Sequence, residues 1–232
     1  MLGEAAVNSI VLPVVSWATW GREQSSMQPD VAFIEPLVRR RLSFLDRIAL
    51  HLAHACAPQD RPAHLVFASR HGELARSAEL LAQLAAGEPP SPMGFSLSVL
   101  NAAAGLYGIA RKDRSPATAL SAEEASFPLA LVEAAAQAWS DPAASVVLAF
   151  ADEPPPAVYQ ELVDTPRIAH GIGVRLDAAS PKLSVEMSWS DGEGEEEQEQ
   201  VVAAFMSCVT AGARASWSGR GHTWRWAPHG NA

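Results

Sequence analysis

Apolar positions along this chain return at two alternating spacings, one helical and one extended. Ile10 to Trp17 is rich in β-branched residues and predicts a strand, with Pro13 marking an edge or a bulge. Pro36 opens a helix that runs to about Cys56, because Leu37, Leu42, Leu45, Ile48, Leu52 and Ala55 fall near a 3.6-residue period and form one apolar face. His64 to Ser69 predicts a short strand, and Glu73 to Ala86 a helix after Gly72. Three prolines within Pro89 to Pro92 leave Gly87 to Pro92 as a loop. A small-residue helix over Ser98 to Ala110, a short strand over Thr118 to Ser121 and a helix over Ala122 to Trp139 follow. Ser145 to Ala151 is apolar without alternation, the pattern of a strand buried on both faces. Beyond Pro154, Pro155 and Pro156 the expected elements are strands at Ile168 to Leu176 and Leu183 to Trp189, a helix at Gln198 to Gly212, and a hairpin over Ala213 to Trp226 turning at Ser218 to Gly221. No internal repeat is present. Strand and helix alternate, which predicts an α/β sheet covered on both faces.

Size and charge narrow the class. The 232 residues suit one globular domain with a core large enough to dispense with disulfides or a structural metal. The two cysteines, Cys56 and Cys208, lie in Ala- and Val-rich helical stretches and read as buried free thiols of a reducing compartment. The formal charge is −9, and Asp191 to Gln200 carries six acids and no base. That run reads as exposed loop leading into a helix N-terminus, where carboxylates are favoured, without the spacing of an EF-hand. No basic stripe invites nucleic acid. Arg39, Arg40 and Arg41 form the densest positive cluster, a solvated face or a contact for an acidic carrier protein. No apolar run reaches the roughly 18 residues of a membrane span. The apolar stretch Ile10 to Val15 lacks a basic segment before it, so no signal peptide is expected and the protein is read as cytoplasmic.

Few residues offer chemistry on their own. His51 and His54 stand at i, i+3 on one helix with no further ligand nearby, so no metal is expected. Ser69 and His71 sit at a strand end in Ser-Arg-His-Gly-Glu, but no Gly-x-Ser-x-Gly elbow surrounds Ser69. A helix cap is the plainer reading, and a serine hydrolase using Ser69 the alternative. Glu123 and Glu124, read alone, are first-turn acids of a helix.

Two segments change that reading. Ser91-Pro92-Met93-Gly94-Phe95-Ser96-Leu97-Ser98-Val99-Leu100-Asn101-Ala102-Ala103-Ala104-Gly105 resembles the Ser-Pro loop and Asn-x-x-x-Gly helix of β-ketoacyl synthases. Ser115 to Ser126 resembles their Gly-Pro-x-x-x-x-x-x-Ala-Cys-x-Ser strand and nucleophile turn. Counted from Pro116, the nucleophilic Cys falls at Glu124, with Glu123 before it. The resemblance spans about residues 8–175. It is nearest to the short chain-length-factor subunits of bacterial aryl-polyene and xanthomonadin-type pathways, in length, in Ser69 to Glu73, and in Trp224-Arg225-Trp226 near the C-terminus. Leu100 stands where those relatives usually carry His and is read as packing. The chain also stops about 80 residues after Ala151, and His170, His222 and His229 lie in no ketosynthase-like histidine context.

The resemblance implies a thiolase-like αβα layered fold in one domain over 1–232, truncated to about one thiolase half (core about 8–175) with a strand-helix-hairpin addition at about 176–232. It implies no catalytic residue and no cofactor or metal. The expected function is a non-catalytic partner of a ketosynthase, forming a heterodimer that elongates polyene chains bound to an acyl carrier protein by decarboxylative Claisen condensation. Thr118 and Leu120, on the strand that pairs across such dimers, would lie at the interface. Met93, Phe95, Val99 and Asn101 would wall the partner's acyl tunnel, and Ala102 to Gly105 would allow close backbone approach. The alternative on the same turn is a malonyl-thioester decarboxylase using Glu124.

Overall fold

A computed structural model describes residues 8–24, 27–162, 168–192 and 198–230. In chain order the elements are β1 (Asn8–Trp20), α1 (Pro36–Arg39), α2 (Phe44–Cys56), β2 (Ala63–Ala68), α3 (Leu74–Ala85), α4 (Pro92–Ser96), α5 (Ala102–Arg111), β3 (Ala117–Leu120), α6 (Ser126–Ser140), β4 (Ser145–Asp152), β5 (His170–Leu176), β6 (Leu183–Asp191), α7 (Gln198–Ala211), β7 (Ala215–Gly219) and β8 (His222–Pro228). The strands form one eight-stranded sheet in the order β3-β2-β4-β5-β1-β6-β8-β7. The pairs β3–β2 and β2–β4 are parallel; every pair from β4 to β7 is antiparallel.

Side-chain alternation divides the core into two layers. Leu65, Phe67, Val147, Ala149 and Ala151 face α2 and α5, while Val66, Ala68, Val146, Leu148 and Phe150 face α6 and α7. This is the two-sided burial expected of the Ser145 to Ala151 run. Helix α2 lies unusually close to β5. A Cβ on Gly173 would stand 2.7 Å from Leu52 O, and one on Gly171 2.8 Å from Leu52 Cδ1 and 2.6 Å from Phe150 O of β4, so only glycine fits at either position.

Coverage differs past β1. Helix α7 packs over β6, β7 and β8 on one face, with Phe205 against Trp226. On the other face Glu186, Arg225 and Ser216 are exposed in a polar groove of about 400 Å³. Among the described residues that part of the sheet is therefore covered on one side only, and the expectation of two covered faces holds for β3 to β1.

Three helix boundaries depart from the periodicity. The helix expected over Pro36 to Cys56 is two, because Ser43 caps α2: its Oγ accepts the Asp46 N–H at 2.9 Å and the Asp46 carboxylate accepts the Ser43 N–H at 3.3 Å. The loop at Gly87 to Pro92 ends in α4, started by Ser91 as cap with Pro92 in its first turn, and the helix expected from Ser98 starts at Ala102. The helix expected from Ala122 starts at Ser126. Pro128 then falls in the first turn, where its missing N–H costs nothing; a start at Ala122 would have buried it mid-helix. Of the acidic run, 193–197 lie outside the described residues.

Candidate functional site

Strand β3 is the edge of the sheet, and the chain leaves it into a tight 3₁₀ turn over Glu123–Ala125. Glu123 adopts φ 52°, the left-handed region that a non-glycine residue seldom occupies. Ser126 holds the turn in place: its Oγ donates to Glu123 O at 2.6 Å and accepts the Ala122 N–H at 2.9 Å. Glu124, expected at the nucleophile position, is buried directly before the helix. Its carboxylate pairs with the Arg70 guanidinium through Oε1, and Oε2 accepts Arg220 Nε at 3.2 Å. Arg220 also pairs with Glu123. The turn thus presents a carboxylate held between two cations, with no thiol to accept an acyl group.

Arg70 comes from the end of β2, where the Ser69 to Glu73 segment folds around Asp152 at the end of β4. Asp152 accepts Ser69 Oγ–H at 2.7 Å and the N–H groups of Arg70 at 2.9 Å and His71 at 3.2 Å. Ser69 Oγ in turn accepts the Gly72 N–H at 2.8 Å, and Gly72 takes φ +55° to make the turn. Ser69 is fully buried and has no histidine partner among the described residues, the geometry of a loop brace instead of an activated nucleophile. The His71 ring lies nearby with Nε2 buried and unpartnered among the described residues. Burial pushes its pKa down, Arg70 adding to this and Asp152 and Glu124 opposing it. Leu100, the residue read as packing, does pack: its Cδ1 stands 3.2 Å from where a Cβ on Gly72 would be.

Behind this loop sits a second cluster. Ser43 Oγ donates to Glu73 Oε1 at 2.5 Å, and Arg76 reaches Glu73 Oε2 at 2.9 Å and Asp46 Oδ2 at 3.5 Å. Burial, then the Glu73 charge, raises both Asp46 and Glu153 to about 7.

The residues expected to face a partner are all at least partly exposed. Met93, Phe95 and Val99 are 46%, 65% and 44% exposed, and Leu81 and Leu84 of α3 extend the same apolar surface. Asn101 is exposed just before α5, and Thr118 and Leu120 are half-buried on the edge strand. The small-residue stretch behaves differently from its expectation: Ala103 and Ala104 are buried within the layer under α2, leaving Gly105 exposed.

The tip of the β7–β8 hairpin, Arg220–Gly221, has both residues at positive φ, the two-residue turn that matches strand twist. It closes one side of an open cleft of about 620 Å³ whose walls include Glu123, Leu129, Trp189, His222 and Trp224. Trp217, Trp224 and Trp226 are buried and Trp189 stacks on Trp224, so these tryptophans pack on the sheet. His51 meets Asp30 O and His54 stacks on Phe33. Among the described residues no cluster of three or more His, Cys, Asp or Glu is placed to hold a metal. Cys56 and Cys208 are free and buried, and burial raises the Cys56 thiol to about 12. No described helix is long and apolar enough to cross a membrane.

Sequence reasoning did not assign roles to Arg70, Asp152 or Arg220. Arg70 was visible only inside a resembling pentapeptide; Arg220 carried no signal beyond its turn, since nothing local shows what a hairpin tip will meet.

A sheet with parallel order at one edge, an edge strand feeding a tight turn, and a buried helix after that turn define a ketosynthase-type half. The sequence profile of the beta-ketoacyl synthase N-terminal domain matches residues 17–227, and the chain belongs to that family. No functionally curated protein matches it. Among solved structures it is similar to a chain of the complex of the ketosynthase ApeO with its chain length factor ApeC from Xenorhabdus doucetiae, with a TM-score of 0.79 at 22% identity over 94% of this chain and 99% of that one. It also resembles the ishigamide ketosynthase/chain length factor, with a TM-score of 0.52 at 17% identity over 82% of this chain and 57% of that one. The thiolase-like half-fold is thus established.

Proposed function

We propose that this chain is a chain-length factor: a non-catalytic subunit that pairs with a full ketosynthase in the cytoplasm and shapes the tunnel in which a carrier-bound polyene grows. The observation that carries this reading is the state of the nucleophile position. Glu124 is buried, gripped by Arg70 and Arg220 and carries no thiol, so no thioester acyl-enzyme can form there. Condensation then belongs to the partner: acyl transfer to its cysteine, loss of CO₂ from a malonyl thioester, and attack of the resulting carbanion on the acyl group. Two further features support pairing. The β3 edge offers unpaired backbone groups to a second strand, and the exposed Met93, Phe95 and Val99 stand ready for an apolar counterpart. The matched complexes contain a ketosynthase and a chain length factor by their own descriptions.

The test is reconstitution. This chain, a ketosynthase from the same organism and an acyl carrier protein are combined with malonyl and starter thioesters, and products are sized by mass spectrometry. Products that need both subunits, and change length in Phe95 variants, are the expected result. Condensation or CO₂ release by this chain alone would overturn the reading.

A further inference from the structure

Strand β7 is the second edge of the sheet, at the far end from β3. Its hydrogen-bond phase follows from the turn that ends it. Gly219 and His222 flank the two-residue turn at Arg220–Gly221, so they form a hydrogen-bonded pair, and alternation makes Trp217–Trp224 and Ala215–Trp226 the next ones. Ser216 and Ser218 therefore turn their backbone N–H and C=O groups to the free side, where no described strand meets them.

This edge lacks the devices that keep such strands single. Ala215 to Gly219 holds no charge and no proline, and its ladder with β8 runs without a bulge. Ser216 is exposed and Ser218 half-buried, both on the open face of the sheet, where Ser218 Oγ lies 2.9 Å from Thr223 Oγ1. On the other face Trp217 is buried beneath α7, its ring over Gly219. Arg214 is the only charged residue from Val201 to Gly219, in a chain with 17 basic and 26 acidic residues. The strand and the helix that covers it thus form the uncharged corner of an otherwise charged molecule.

We propose that two copies of this chain join β7 to β7, antiparallel, about a two-fold axis beside Trp217. The free backbone groups set the register: Ser216 of one copy lies opposite Ser218 of the other, and the reverse, both as hydrogen-bonded pairs. One offset thus satisfies the outward groups of both serines on both strands. The side chains it brings together are small and uncharged, so none repel. Arg214 falls opposite Arg220 of the second copy, whose charge Glu123 and Glu124 already answer. A contact of this kind uses each edge once and closes. A strand from a different protein would take the same backbone bonds, but selective strand addition needs pockets for alternate side chains. The groove beside β7 is polar, with Glu186, Ser188, Arg214 and Arg225 in its walls. The inference is independent of the function proposed above: β3 and β7 are opposite edges, so a dimer through β7 leaves β3 open to a ketosynthase.

Sedimentation velocity of the full chain on its own reads the contact. The forms compared are wild type, S216K/S218K, S216E/S218E and A119P, which blocks the β3 edge; circular dichroism checks that each is folded. Wild type and A119P should be dimers. Each charge variant alone should raise the dissociation constant by about tenfold or more, because like charges then face each other across the axis. Mixing the lysine and glutamate variants should restore dimers, which also shows that both fold. A wild-type chain that stays monomeric at every concentration would overturn the proposal. So would a dimer that survives in both charge variants, a dimer lost in A119P alone, or a mixture that restores nothing. Adding a ketosynthase separates this contact from the function proposed above. A complex holding two copies of each subunit supports both, whereas a dimeric chain that binds no ketosynthase supports the β7 contact and counts against that function.

Discussion

Arg220 Nε stands 3.2 Å from Glu124 Oε2, joining the tip of the last hairpin to a turn 96 residues earlier. With Arg70 on the other carboxylate oxygen, Glu124 fastens the last hairpin to the first half of the fold. The two cations are not equal, because the Arg70 side chain is 10% exposed and that of Arg220 44%. Glu124→Ala should destabilise the chain by about 3 kcal/mol, since it takes the carboxylate away from a buried guanidinium. Arg220→Ala should cost about 1 kcal/mol or less, as expected of a partly solvated pair. Urea unfolding of the two variants measures both, and equal losses would show that Arg220 and not Arg70 dominates.

The carboxyl cluster at Asp46 and Glu153 gives stability a pH dependence of known sign. Both pKa values are raised in the fold, from 3.8 and 4.5 to about 7, first by burial and then by the Glu73 charge. A raised carboxyl binds its proton more tightly folded than unfolded. Its favourable contribution is complete below the unfolded value and is lost as pH rises through the folded one. Urea midpoints should therefore fall between about pH 4 and pH 7 from these two groups and then level off, and Glu153→Gln should flatten the slope.

Ser43 performs two tasks, capping α2 and donating to Glu73. Ser43→Ala removes the cap and leaves a buried carboxylate short of one donor, for a loss of about 1–2 kcal/mol. Thermal unfolding by circular dichroism reports it.

Gly173 lies under α2, where an added Cβ would be 2.7 Å from Leu52 O and 2.8 Å from Cys56 Sγ. Because the obstacle includes helix backbone, Gly173→Ala should cost about 1–3 kcal/mol through displacement of α2. The same substitution at Gly105, with no atom within 4 Å of an added Cβ, should be nearly neutral or slightly stabilising by comparison.

On β3, Leu65 N–H donates to Pro116 O and Ser69 N–H to Leu120 O, so even positions face β2 and Ala117 and Ala119 turn their backbone groups to the free edge. Ala119→Pro should spare the β2 ladder and the stability of the isolated chain while abolishing pairing with the ketosynthase. Size-exclusion chromatography of the co-expressed pair decides it; an undisturbed heterodimer would place the interface elsewhere.

Local pattern was enough to place most elements, because burial imposes its period on the sequence. The run Ser145 to Ala151 announced a strand buried on both faces, and Pro154 to Pro156 announced a break. What failed were helix ends at Ser43 and Ser126, where one side chain's hydrogen bonds override a continuing apolar period. The candidate turn was singled out by resemblance, by a count from Pro116 to Glu124, and Met93, Phe95 and Val99, singled out the same way, are exposed.

The sequence alone determined that the core is built of alternating strands and helices, and its resemblance drew attention to the turn at Glu123 and Glu124. Only the tertiary structure decided what the Glu124 carboxylate meets. Arg70 and Arg220 are distant from Glu124 along the chain, and no periodicity links them. They meet because β2 ends beside β3 and the β7–β8 hairpin folds back over the same turn. Ion pairs of this kind depend on where chain segments arrive in space, which local spacing does not encode.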